Sequence, residues 1–111
     1  MTDLTLSGIT VLLTRPAAQS AALAAAIAEQ GGKVCELPLI EIEPVTDAAV
    51  CETIKSRILN LDHDYAAIFI STNAARLGME WIDRYWPQLP VGLSAYAVGP
   101  GTAHVLKEFD W

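Results

Sequence analysis

Two runs, Ile9-Thr10-Val11-Leu12-Leu13-Thr14-Arg15 and Tyr65-Ala66-Ala67-Ile68-Phe69-Ile70, are almost continuously apolar and lack the polar alternation of a half-wet strand. That pattern predicts strands covered on both faces, as in a parallel sheet. Each run gives way to a helical period. After Pro16 an Ala-rich stretch reaches Gln30, with Leu23 and Ile27 one turn apart, and Gly31-Gly32 stops it. Glycine is the usual stop because it accepts the left-handed conformation beyond a helix end, and proline suits a helix start. Lys33 to Leu37 then predicts a second short strand, completing a βαβ unit by residue 38.

The segment Pro38-Leu39-Ile40-Glu41-Ile42-Glu43-Pro44 alternates acid with isoleucine and is bracketed by prolines. Alternation predicts an extended strand wet on one face, and the prolines disfavour a central position, so an edge strand or an interdomain connector fits. Asp47 is placed to cap a helix through Val50, Ile54, Ile58 and Leu61, and Asp62-His63-Asp64 makes a polar loop after it. Beyond Ser71, Asn73 is a suitable N-cap for a helix carrying Leu77, Trp81 and Tyr85 on one face, closed by Pro87. Leu93 to Val98 reads as a fourth strand, and Gly99-Pro100-Gly101-Thr102 turns into a helix through Val105, Leu106 and Phe109. Strand and helix alternate throughout, which defines an α/β fold of parallel strands with helices on both faces.

Composition narrows the chemistry. The 111 residues carry a formal net charge of −6 with only 7 Lys and Arg, scattered rather than clustered, which argues against nucleic acid as a partner. No apolar run approaches the ~18–20 residues of a membrane span. The opening Met1-Thr2-Asp3-Leu4-Thr5 lacks the basic region and long apolar core of a secretory signal. A cytoplasmic protein is the expectation. Cys35 and Cys51 have neither metal-ligand spacing nor a disulfide-rich context, and His63 and His104 lie far from both, so reduced core thiols and no metal are expected.

In open parallel sheets ligands bind beyond the carboxyl ends of the strands. The three strand-to-helix turns, Thr14 to Ser20, Ser71 to Arg76 and Gly99 to His104, contain no acid at all, although 13 of the 111 residues are Asp or Glu. They hold Arg15, Arg76, several hydroxyls, Asn73 and two glycines, and each feeds a helix N-terminus that favours an anion. Arg76 early in its helix is mildly unfavourable unless an anion lies nearby. A polyanionic small molecule is the ligand class this suggests. The same residues have ordinary readings: Thr14, Ser71, Asn73 and Thr102 are common capping or turn residues, Arg15 suits a solvated strand end, and Gly99 and Gly101 permit tight turning. Trp81, Tyr85 and Trp86 read as packing, and His104 as an exposed helix residue. No serine-nucleophile elbow, nucleotide phosphate loop, strand-end phosphoacceptor acid or paired carboxylates occur in these turns.

Four segments in order resemble the uroporphyrinogen-III synthase family. They are Val11-Leu12-Leu13-Thr14-Arg15-Pro16, Glu36-Leu37-Pro38-Leu39-Ile40-Glu41-Ile42-Glu43-Pro44, Ile68-Phe69-Ile70-Ser71-Thr72-Asn73-Ala74 and Ala97-Val98-Gly99-Pro100-Gly101-Thr102-Ala103. The resemblance implies a cyclising lyase of tetrapyrrole (haem, porphyrin) biosynthesis, which closes hydroxymethylbilane with inversion of the last pyrrole ring and loss of water. It implies no cofactor, a monomer at full length, and two flavodoxin-like or Rossmann-like domains flanking a cleft. The domains would then be 1–38, the βαβ part of the first; 39–45, a connector strand; and 46–111, part of the second. Substrate-binding positions carried over are Thr14, Arg15, Pro16, Ser71, Thr72, Asn73, Gly99, Gly101 and Thr102, with Thr102 as the candidate catalytic residue. Ile70 and Ala75 depart from the residues common there, and the family's prominent tyrosine has no counterpart in this chain.

The rival reading is a non-catalytic, flavodoxin-like module that binds a carboxylated or phosphorylated metabolite through the same turns. On the family reading the chain is an incomplete portion, because Phe109-Asp110-Trp111 closes a helix where the pattern expects another strand.

Overall fold

The computed structural model describes residues 4–111; Met1 to Asp3, which open the segment weighed above as a signal sequence, lie outside them. Two compact units are present, one ending at Glu43 and one comprising Pro44–Trp111, so the boundary falls within the proline-bracketed segment. Both are α/β, built on parallel strand pairs.

In the first unit, β1 (Thr10–Leu13) and β2 (Lys33–Glu36) pair in parallel with Val11 opposite Val34, and α1 (Ala17–Glu29) crosses between them. Helix α1 packs on both strands and buries Ile27 and Ser20, while Leu13 is the buried strand residue. The Ser20 hydroxyl donates to the Arg15 carbonyl at 3.5 Å, which ties the helix to the turn before it. The far end closes as a Schellman motif. Gly31, at φ +82°, donates to the Ala28 carbonyl, and Gly32 to the Ile27 carbonyl. Gly32 is held for a second reason: a Cβ there would stand 2.7 Å from Ile27 Cγ2 and 3.2 Å from Leu6 Cβ.

In the second unit, α2 (Ala48–Leu59) starts where the Asp47 carboxylate accepts from the Val50 N–H at 3.0 Å. A short 3₁₀ turn, Leu61–His63, leads to β3 (Ala66–Phe69), α3 (Thr72–Tyr85), β4 (Ser94–Ala97) and α4 (Pro100–Glu108). Strands β3 and β4 are parallel, with Phe69 opposite Ala97. The core joins Leu61 and Phe69 to Ala75, Met79 and Ile82 of α3 and to Val105 and Leu106 of α4. Around it, Trp86 Nε1 donates to the Ile58 carbonyl at 2.6 Å, and Phe69 meets Trp111 edge to face at 5.6 Å. Helix α4 also ends in a Schellman motif, with Asp110 at φ +63° in the position glycine usually takes.

Several expectations are corrected. Each sheet has two strands and helices on one face only among the described residues. Ala67, Phe69, Ala95 and Ala97 face the helices, while Ile68 (70% exposed), Ile70 (73%), Tyr96 (54%) and Val98 (62%) lie on the other side. In the first unit Leu12 and its register partner Cys35 are likewise exposed, so Cys35 is no core thiol; Cys51 is half-buried. An apolar run records what a strand is suited to contact, and here no described element of the same unit contacts that second face. Residues 38–44 form no strand; Leu39 donates to the Thr14 carbonyl and the ladder goes no further. The buried face of α3 is Ala75, Met79 and Ile82, with Leu77, Trp81 and Tyr85 half-buried at its margin. Leu23 and Val50 are exposed, because α1 and α2 each rest on a single neighbouring layer. No helix among the described residues is long and apolar enough to cross a membrane.

Two substitutions test these helix ends in opposite directions. Gly32→Ala should cost about 1–3 kcal/mol, since Ile27 and Leu6 must move to admit the methyl group. Asp110→Gly should add about 0.5 kcal/mol by relieving a non-glycine left-handed residue. Midpoints of urea unfolding followed by circular dichroism give both signs.

Candidate functional site

Parallel pairing of β3 and β4 puts their carboxyl ends at one edge, and both following helices begin there. At the first turn Ser71 is extended (φ −155°, ψ 162°), and its Oγ accepts from the Ala74 N–H at 3.0 Å. Ser71 is therefore the N-cap of α3, and Asn73 stands inside the first turn rather than capping it.

At the second turn Gly99 is the N-cap of α4, with φ +90° and ψ 159°, a region that essentially only glycine occupies. No atom would obstruct a Cβ at Gly99, so its constraint is purely one of backbone conformation. Gly99 offers no side-chain oxygen to the first turn, and Pro100 follows at the first helical position, where its missing N–H loses no intrahelical bond. The N–H groups of Gly101 and Thr102 therefore have no oxygen from the cap residue. A Cβ on Gly101 would lie 3.6 Å from Thr72 Cγ2, so the starts of α3 and α4 are in contact range of one another. Gly99, Pro100 and Gly101 are exposed, Ser71, Thr72 and Asn73 half-buried. The result is a rim of backbone donors and small side chains from two helix starts, with no carboxylate in either turn.

Thr102 is 4% exposed, packed beneath this rim. In the first unit the equivalent turn holds Thr14, Arg15 and Pro16. Pro16 is the N-cap of α1 and, like Gly99, carries no capping oxygen. Thr14 and Arg15 are exposed, and the Arg15 guanidinium donates to Gln19 Oε1 at 3.4 Å. The structure thus brings Ser71, Thr72, Asn73, Gly99, Gly101 and Thr102 together in one unit and places Thr14, Arg15 and Pro16 in the other.

Arg76, flagged by its awkward place near a helix start, has an anion beside it. Its guanidinium donates to Glu108 Oε2 of α4 at 3.4 Å. Glu108 was not singled out in the sequence. Its spacing of four from His104 was a visible signal, and the two side chains lie 3.3 Å apart. The aromatic residues act as packing. Trp81 stacks on Tyr85 with ring centres 6.5 Å apart, and Arg84 covers the Trp81 ring at 4.6 Å.

The sequence matches the family model described as uroporphyrinogen-III synthase HemD over residues 21–110, which covers both strand-to-helix turns of the second unit.

The Gly99 turn can be tested alone. Gly99→Ala should destabilise the second unit by about 1–3 kcal/mol, the cost of holding a residue with a Cβ in that region. The measurement is again the unfolding midpoint. A change below about 0.5 kcal/mol would show that the turn relaxes to another conformation at little cost.

Proposed function

The chain belongs to the uroporphyrinogen-III synthase family, and from that premise we propose that it carries part of the surface on which hydroxymethylbilane is held during ring inversion and closure. The observation that supports this most directly is the pair of adjoining helix starts at Ser71-Thr72-Asn73 and Gly99-Gly101, free of acids and rich in backbone donors. Helix N-termini attract carboxylates through unpaired N–H groups and the helix dipole, and the bilane is polycarboxylated. Thr14, Arg15 and Pro16 would add a third such turn, with the Arg15 guanidinium as a carboxylate partner.

The reaction needs little from side chains on this reading. Loss of the bilane hydroxyl as water leaves a delocalised cation, and closure without inversion proceeds spontaneously. The protein then acts by holding the chain so that attack through the inverted geometry is faster, which is catalysis by positioning in a preorganised field. Thr102, packed under the rim, is the candidate for steadying that field through its hydroxyl. The protein works in the cytoplasm as a monomer when full length, with 1–38 and 46–111 contributing to two domains and 39–45 connecting them. The present residues are a portion of the enzyme; the uncovered apolar face of β3 and β4 supports this, being suited to further structure packed against it.

Supplying freshly made hydroxymethylbilane to the 111-residue chain and determining the isomer composition of the product tests the proposal, alongside binding of a polycarboxylated porphyrin. The expected result is porphyrin binding without inverted product. Absence of binding would overturn the ligand class, and inverted product would overturn the incompleteness. In an active full-length form, Thr102→Val, which keeps shape and removes the hydroxyl, should lower kcat. Arg15→Ala should raise KM with little effect on kcat.

A further inference from the structure

Arg76 on α3 and His104 on α4 each lie just over one turn beyond their helix's N-cap, Ser71 or Gly99. They therefore form a tier of basic residues directly behind the acid-free rim. One carboxylate holds both: Glu108 Oε2 is 3.4 Å from Arg76 Nη1, and Glu108 Oε1 is 3.3 Å from His104 Nε2. All three side chains are about half exposed or more. An ion pair this exposed is weak, typically under about 1 kcal/mol, so a better-placed anion can displace it. Side chains on a helix lean toward its N-terminus. An Arg76 freed from Glu108 accordingly reaches back toward the Ser71-Thr72-Asn73 turn.

We infer that Glu108 is an internal counter-ion that competes with the ligand's carboxylates for Arg76. In the unliganded protein Glu108 neutralises the guanidinium and keeps it beside the rim. When a polycarboxylate docks on the two helix starts, one of its carboxylates takes the guanidinium, and Glu108 retains His104. Arg76 is then a binding residue and Glu108 a positioning residue that tempers affinity. The inference deepens the binding reading above and rests on it. It parts from a purely structural clasp between α3 and α4 in one respect: a clasp is broken equally by removing either partner, whereas a competitor and its target have opposite effects on binding.

The experiment measures the affinity of the 111-residue chain for uroporphyrin, a polycarboxylated tetrapyrrole, by fluorescence titration at low salt, with a thermal melt for every variant. Arg76→Gln should weaken binding about 5–10-fold through loss of a charge-assisted contact. Glu108→Gln should tighten it about 3-fold, the scale of an exposed ion pair. The double variant should bind as weakly as Arg76→Gln, because the gain from removing Glu108 acts through Arg76. Glu52→Gln, an exposed acid on α2, removes the same charge away from the helix that carries Arg76 and should leave affinity unchanged. Weaker or unchanged binding by Glu108→Gln, undiminished binding by Arg76→Gln, or tightening by Glu52→Gln equal to that of Glu108→Gln would each overturn the inference while leaving the ligand class intact. Failure of the unsubstituted chain to bind uroporphyrin would remove the ligand class and the inference with it.

Discussion

Parallel strands cannot be joined by a tight turn, because the chain must return to the starting edge before it can run in the same direction again. In the second unit α3 makes that return, and β4 lies beside β3 with Ala66 opposite Ser94 and Phe69 opposite Ala97. Both strands then deliver the chain to the same edge, and α3 and α4 start there side by side. The remaining architecture follows. The two helices share the Ala75, Met79, Val105 and Leu106 core beneath the sheet. Their N-termini meet where Gly101 has no side chain and Thr72 turns a methyl group toward it. Without the parallel register there would be one helix start at this edge and no rim.

The electrostatic character of that rim comes from what is absent as much as from what is present. A chain of net charge −6 keeps its acids out of the turns that follow β1, β3 and β4. Ser71 satisfies part of the α3 start internally, whereas Gly99 leaves the start of α4 without a capping side chain. The two basic residues behind the rim are both matched to Glu108. At the helix starts themselves, fixed dipoles face an incoming anion and need no reorganisation as it binds, whereas the Arg76 guanidinium behind them must first leave Glu108.

How much could be read in advance depended on the range over which each determinant acts. Pro16, Gly31 and Asp47 work through the backbone of their own turn, so α1 and α2 begin or end close to where those residues stand in the sequence. The family-defining turns were legible for the same reason. Ser71 and Asn73 both have side chains that can cap, and nothing local separates them; in the fold Ser71 is the extended residue whose Oγ accepts from the Ala74 N–H. Coverage of the strand faces was not legible. Ile68 and Phe69 are both apolar, and only the placement of α3 and α4 makes one buried and the other exposed. The place of Arg76 near a helix start called for an anion, but that the anion is Glu108, 32 residues away, depended on how two helices pack.

The uncovered side of β3 and β4 has a thermodynamic consequence. Unfolding raises heat capacity chiefly by bringing apolar groups into water, by about 12–15 cal/mol/K per residue in ordinary domains. Ile68, Ile70, Tyr96 and Val98 are already largely hydrated in the folded chain, so they contribute little to that increment. A smaller increment flattens the dependence of stability on temperature and weakens the tendency toward cold unfolding. Any structure that covered this face would restore the missing heat capacity, so the curvature of the stability profile records how much of the sheet is dry.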